Sequence, residues 1–254
     1  MHLIHTAGPA RRRALALAAA LLCLGAVAAA APSSGSAGSA VTVTVRVEGP
    51  NATIVPATRV TLTAGPAISK DGRSADSCSS LSAAGALQEA TEGAWQGTWS
   101  KSFKGYLVTG IDGLSFPSSG ATYWAFWVND APASEGICGV RVHSGDQILF
   151  FPDCYGKSCP PNGGVLGIRA PAVARAGRAV PVTVTAYADS SGKPHPQAGA
   201  TVRGGGASAT TGAAGTASLT FGTPGTYTLR VSAPHTVRTE ASVCVELAGS
   251  TTCR

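Results

Sequence analysis

Cysteines and a dense group of aromatic rings are the residues of this chain whose types and spacing could do chemistry. Cys23 sits inside an apolar N-terminal run; the others are Cys78, Cys138, Cys154, Cys159, Cys244 and Cys253. Zinc ligation and disulfide bonding both use cysteines placed like this. Cys154-x4-Cys159 has no second ligand pair nearby, and His143, His195 and His235 stand alone, so a zinc pattern is incomplete. An even count reads instead as a disulfide framework, which persists in oxidising compartments. If no bridge crosses the turn-rich segment 155–164, Cys244 pairs with Cys253 and three pairings remain for the other four. The Pro-containing loop between Cys154 and Cys159 can turn back on itself, which favours Cys154–Cys159 and hence Cys78–Cys138.

Residues 95–155 hold 12 of the 15 Phe, Trp and Tyr residues, including all four tryptophans. Trp95, Trp99, Phe103 and Tyr106 read as a loop and the start of a strand, and Tyr123, Trp124, Phe126 and Trp127 share one strand. Period-two alternation puts Tyr123 and Trp127 on one face and Trp124 and Phe126 on the other. Such a strand is either buried twice, as core, or exposes one face. The exposed alternative makes Trp95, Trp99, Tyr106 and Trp127 a platform for a sugar ring or flat ligand, with Asn129 and the adjacent Asp130 as polar handles. It leaves Trp127 open and Trp124 in the core.

Catalytic motifs do not emerge. The chain lacks a Gly-x-Ser-x-Gly elbow, a His-Glu-x-x-His pair and a calcium-loop spacing. Gly156-Lys157-Ser158 resembles the end of a phosphate-binding loop, but Phe151 occupies the place of its first glycine. Asp71/Asp76 and Glu89/Glu92 read as solvated pairs on a Ser-rich loop and a helix face. The expectation is a protein that is not an enzyme, with no metal and no cofactor.

The chain opens with Arg11-Arg12-Arg13, an apolar run from Ala14 to Val27, and Ala28-Ala29-Ala30-Ala31-Pro32. That order is a secretory signal peptide over 1–30, cut after Ala30 because Pro32 disfavours the next bond. The arginine run also partly resembles a twin-arginine signal, and Leu22 before Cys23 argues against a lipoprotein. No later stretch reaches the roughly 20 apolar residues of a membrane span, so a secreted, extracellular or cell-surface protein is expected. Beyond the leader the chain carries 16 basic and 13 acidic residues. The eight bases of 165–254 are scattered singly, against the concentrated face that nucleic-acid binding needs.

The elements that must position these residues differ between the halves. Val41–Val47 alternates as a half-buried strand, and Ile54–Thr63, Tyr106–Ile111, Tyr123–Val128, Gly139–Val142 and Gln147–Phe151 follow. Ser80–Thr91 is the one helical pattern, with Leu81, Ala84 and Leu87 on one face. One helix against several strands predicts an α+β sheet covered on one face. After the turn formers of 157–164, strands at Val165–Arg169, Val180–Ala188, Ala200–Arg203, Thr216–Phe221, Thr226–Ser232 and Ala241–Glu246 predict an all-β sandwich.

Two resemblances rest on these residues. Tyr123-Trp124-Ala125-Phe126-Trp127-Val128-Asn129, then Glu135-Gly136-Ile137 and Ser144-Gly145-Asp146-Gln147-Ile148-Leu149-Phe150-Phe151, resemble the DUF4430 family, which looks like the C-terminal β-domain of transcobalamin. Ser77-Cys78-Ser79-Ser80, Gly85-Ala86-Leu87 and Trp95-x-Gly97-x-Trp99 are similar to actinobacterial members. Ala198-Gly199-Ala200-Thr201-Val202, Thr211-Gly212-Ala213-Ala214-Gly215-Thr216-Ala217 and Pro224-Gly225-Thr226-Tyr227-Thr228-Leu229 resemble a bacterial Ig-like domain. The resemblances imply a β-grasp-like domain over 41–154, a linker at 155–164, an Ig-like β-sandwich over 165–247 and a tail at 248–254. They further imply a secreted, non-catalytic binding or adhesion module whose aromatic-rich first domain recognises an unknown extracellular or cell-surface ligand, with the second domain as spacer. The alternative is a structural cell-envelope protein without a small ligand. A cobalamin-type ligand follows only from the resemblance, and no helical barrel to hold one can be read here.

Overall fold

The structure, a computed structural model, describes residues 40–117, 120–157, 159, 163–188, 190–250 and 253. The expected leader over 1–30, with its cut at Ala30, lies outside the described residues. The first half contains β1 (Val41–Glu48), β2 (Thr53–Leu62), α1 (Ala83–Ala90), β3 (Trp95–Ser100), β4 (Gly105–Ile111), β5 (Leu114–Ser115), β6 (Thr122–Val128), β7 (Ala131–Pro132) and β8 (Gln147–Cys154). The fold is mainly β, and α1 is the one α-helix among the described residues, so the expected α+β character reduces to a single helix packed on a sheet.

Alternation builds the main sheet, in the order β2-β1-β8-β6-β7. Val43, Val45 and Val47 of β1 point inward while Thr42, Thr44 and Arg46 stay partly open. β1 pairs with β2 antiparallel and with β8 parallel, and β6 pairs with β8 antiparallel from Thr122↔Cys154 to Val128↔Ile148. Ala83, Ala84, Ala86 and Leu87 carry α1 onto one face of this sheet, into a core with Val43, Val45, Trp124, Ile148 and Phe150. Gly85 has no alternative there: a Cβ would lie 2.0 Å from the Ser80 carbonyl oxygen.

The helix start lacks a side-chain cap, although Ser82 occupies the capping position. Its first N–H groups bond instead to the loop after β7, Ala83 to the Val140 carbonyl and Ala84 to the Ile137 carbonyl, each at 2.9 Å. This corrects the expectation of a strand at Gly139–Val142. The segment is a loop, touching Ser82 through an isolated bridge at Arg141, because its carbonyls serve the helix terminus rather than a ladder. The Cys78–Cys138 disulfide ties the same loop to the chain entering the helix. A second correction concerns Trp95–Ser100, expected as a loop. It is β3, in a three-stranded sheet β3-β4-β5, with Trp95, Gly97 and Trp99 paired to Ile111, Val108 and Tyr106.

The second half contains β9 (Val165–Arg169), β10 (Val173–Arg175), β11 (Ala179–Tyr187), β12 (Pro194–Pro196), β13 (Thr201–Gly204), β14 (Ala207–Thr210), β15 (Thr216–Thr220), β16 (Gly225–Ser232) and β17 (Thr239–Glu246). One sheet runs β10-β17-β16-β13-β14. In the other, β11 pairs with β9 on one side and with β12 and β15 on the other. Val180, Val182, Val184 and Ala186 of β11 meet Val202, Leu229, Val231, Val243 and Val245 in one shared core. The alternating apolar residues of the sequence therefore become the inner faces of two sheets.

The halves meet through side chains. Trp127, Leu149 and Phe151 of the main sheet pack with Val165 of β9 in a third buried cluster, flanked by Tyr187 and Val237. Beside it, Glu48 at the end of β1 is 2% exposed and accepts from Arg46 Nη1 at 2.7 Å and from Arg238 Nη2 at 2.9 Å. Arg238 also donates to the Gly49 carbonyl at 2.8 Å, and Arg46 to the Arg238 carbonyl. Ala57 N–H donates to Glu240 Oε1 at 2.9 Å. An isolated carboxylate could not be buried this deeply, so the arginines are a condition of the contact.

Candidate ligand-binding surfaces

The aromatic strand β6 is core on both faces. Trp124 packs against Phe116 and Phe126 stacks on Phe150, each at 5.5 Å, beneath the α1 side. On the opposite face Trp127 meets Phe151 at 6.1 Å and is only 3% exposed. This overturns the expectation that Trp127 stays open. The residues that cover it, beginning at Val165, are remote in sequence and leave no local signal. Tyr123, on the same face, is 41% exposed near the strand's start.

Asn129 is likewise committed. Asn129 and Asp130 have φ of 52° and 63°, the two-residue left-handed turn that joins β6 to β7 with right-handed twist. The Asn129 carboxamide accepts Gln147 N–H at 2.9 Å and donates to Asp146 Oδ1 at 2.8 Å, which ties the turn to the start of β8. Its polar groups brace the turn, and the residue itself stays exposed.

Trp95, Trp99 and Tyr106 do come together. Tyr106 lies edge-on to both indoles, 5.9 Å from Trp95 and 5.0 Å from Trp99. Trp95 is buried, with its indole N–H on Gln88 Oε1 at 2.8 Å and the Lys70 ammonium 4.6 Å above the ring. Burial holds the Lys70 amine below its ordinary range, and the Gly93 carbonyl accepts from it at 3.0 Å. Tyr106 buries its ring but keeps its hydroxyl in polar company. That hydroxyl donates to the Asp76 carbonyl at 2.6 Å, lies 3.0 Å from Asp71 Oδ1 and accepts Lys70 N–H at 2.9 Å.

Trp99 is the member that stays partly open. It borders a groove of about 360 Å³ together with Asp71, Arg73, Asp76, Thr98 and Lys101. The Asp71 carboxyl is held below the usual range, first by the Arg73 N–H; burial opposes this to a lesser degree, and the nearby Tyr106 and Ser69 hydroxyls add smaller effects in the same direction as Arg73. Arg73 lies 3.8 Å from Asp76 and is mostly exposed. Reading the sequence missed this grouping. Asp71 and Asp76 look like ordinary loop residues until the reciprocal Ile68–Cys78 backbone bonds close the loop beside the β3–β4 hairpin.

A second recess, about 260 Å³, lies between the halves. Arg46, Gln147, Asp130, Arg169, Tyr187 and Glu240 are among its lining residues. Burial raises the Tyr187 phenol pKa above its ordinary value; the charge and hydrogen bond of Asp130 add to the rise, and Arg169 opposes it. Among the described residues no three His, Cys, Asp or Glu side chains gather as a metal-ligand set. The six cysteines form Cys78–Cys138, Cys154–Cys159 and Cys244–Cys253, the pairing expected from their positions.

Residues 85–151, from within α1 to within β8, match the family described as a domain of unknown function, DUF4430. No curated protein matches the chain. Among solved structures, a candidate metal-binding protein from Ruminococcus gnavus ATCC 29149 is similar over 46% of this chain and 99% of its own, at 14% identity and a TM-score of 0.31. Haptocorrin in complex with Cbi is similar over 47% of this chain, at 20% identity and a TM-score of 0.35. The match spans 26% of the haptocorrin chain.

Proposed function

We propose that this chain is a secreted, non-catalytic binding module that recognises an extracellular ligand at the Trp99 groove, with the second, Ig-like half as its spacer and support. The observation that carries this reading is the groove itself. A half-open indole lies beside two carboxylates, a guanidinium and an ammonium, on a floor fixed by the Tyr106 hydroxyl. An aromatic face flanked by planar charged groups suits a polyhydroxylated ring, which stacks its C–H face and bonds through its rim. Three disulfides fit an oxidising compartment.

The test is a thermal-shift screen of residues 31–254 against saccharides, cobalamins and divalent metals, because a ligand specific for the folded state raises the melting temperature. A saccharide should give the shift, and Trp99→Ala should abolish it while the protein stays folded. A shift that Trp99→Ala leaves intact would move the site elsewhere, and no shift with any compound would remove the reading. The second reading, a structural envelope protein without a small ligand, draws on the buried Arg46–Glu48–Arg238 contact, which fixes the halves against each other. It predicts a blank screen.

A further inference from the structure

The β3–β4 hairpin ends in four residues, Lys101-Ser102-Phe103-Lys104, and Phe103 at their centre is 70% exposed. No other large apolar side chain among the described residues is as open. The apex is ordered by its own bonds. Lys104 takes φ 48°, the Ser100 and Ser102 hydroxyls lie 3.0 Å apart, and Phe103 N–H reaches Ser100 Oγ at 3.4 Å. Behind it, Leu107 is 44% exposed. The inner face of this hairpin is satisfied by Trp95, Trp99 and Tyr106, so Phe103 is not displaced core; its chain position points it away from the protein.

Two lysines flank Phe103 in the chain. Lys101 and Lys104 are exposed, while Asp71 and Asp76, which share a groove with Lys101, are bonded to Tyr106, Ser69 and Arg73. An apolar tip inside a cationic collar complements a surface that is negatively charged on the outside and apolar just beneath. An anionic phospholipid layer has that order. A soluble polyanion would pair with the lysines but leave the phenyl ring in water.

We propose that the β3–β4 apex is a membrane-surface anchor, with Phe103 entering the headgroup–acyl boundary of an anionic bilayer and Lys101 and Lys104 pairing with lipid phosphates. Such a contact is peripheral and reversible, since one ring and two charges fall well short of stable insertion. It would hold the protein at a cell surface with no need of a spanning helix, and none is long and apolar enough among the described residues. Lys101 also borders the Trp99 groove, whereas Phe103 and Lys104 lie outside it, so Phe103→Ser is the variant that separates membrane contact from ligand binding.

The test is co-sedimentation of residues 31–254, which contain every described element, with vesicles of phosphatidylcholine alone or mixed with phosphatidylglycerol. Binding is expected only to the mixed vesicles and should weaken as salt rises. Replacing both lysines by Ser should lower partitioning about 30-fold, from roughly fivefold per charge near such a surface. Phe103→Ser should abolish sedimentation while leaving the melting temperature unchanged. Equal partitioning of the parent and Phe103→Ser would overturn the proposal. So would binding of the parent and of Phe103→Ser to a soluble polyphosphate as strongly as the parent binds the mixed vesicles, which would make the apex an ion-exchange site for polymers.

Discussion

The contact at Glu48 sets how far the halves behave as one body, and a double-mutant cycle on Glu48 and Arg238 measures it. Glu48 accepts bonds at 2.7 to 3.1 Å from Arg46, Arg238 and Thr53 while 2% exposed. Arg238, 27% exposed, binds the carboxylate at 2.9 Å and the carbonyls of Gly49 and Pro50 at 2.8 and 3.1 Å. Arg238→Ala removes one charge-assisted bond from a carboxylate that keeps Arg46 and Thr53, so the cost should be about 2–3 kcal/mol. Glu48→Ala is worse, about 3–5 kcal/mol, because two guanidinium groups then face each other where the carboxylate was. The double variant should fall short of the sum by about 2 kcal/mol. Urea titration reads this twice: tryptophan fluorescence reports the first half, which holds all four indoles, and far-UV circular dichroism reports both halves. In the parent the two midpoints should coincide. A coupling energy below about 0.5 kcal/mol would make the cluster equivalent to a surface ion pair and refute its role as a lock.

Four further outcomes follow from the same geometry. Trp127→Ala should cost roughly 3–5 kcal/mol in a denaturant titration, through lost transfer energy and a cavity between the halves, whereas half-open Trp99→Ala should cost about half as much. Replacing Cys78 and Cys138 by Ala, a pair 60 residues apart, should cost about 4 kcal/mol in the chain-entropy treatment and release the loop that caps α1, visible as faster amide exchange at Ala83 and Ala84. The Asp71 pKa is lowered in the fold, so its contribution is present above its unfolded value and is lost as pH falls through the folded value; Asp71→Asn should flatten that acid limb of a stability–pH curve. The Tyr187 pKa is raised, so its contribution is present below the ordinary phenol value and is lost as pH rises through the folded one; Tyr187→Phe should remove that alkaline limb.

What the sequence made legible is what short-range pattern controls. β1 and β11 declare themselves through alternating valines, and α1 through its small apolar face. The cysteine pairing followed from separation and from the turn-rich segment between the halves. Two of three misreadings share one cause, a partner remote in the chain; the third, β3, pairs with the adjacent β4. β3 looked like a loop because Trp95, Gly97 and Trp99 alternate with a glycine that closes tightly on Tyr106. Gly139–Val142 looked like a strand because its apolar residues pack inward, although its carbonyls are needed by α1. Trp127 looked available because its covering layer begins at Val165. Asn129 carried a turn signal that the ligand hypothesis overrode, since Asn-Asp between strands is what a left-handed two-residue turn requires.

The same burial that removes the aromatic strand from recognition also says where recognition can reside. The main sheet has α1 on one face and the second half on the other, which covers most of both faces and leaves Tyr123 and the recess beside Arg46 and Gln147 open. Also accessible, and projecting from the sheet, are the loop from Ser69 to Ser77 and the β3–β4 hairpin beside it. Both are held from below by Tyr106, whose ring touches Trp95 and Trp99 and whose hydroxyl reaches Asp71 and Asp76. One buried tyrosine thus fixes the geometry of the groove. Conformational freedom that a ligand would otherwise have to remove is already removed by the fold, which is how a shallow surface gains affinity without becoming a deep cavity.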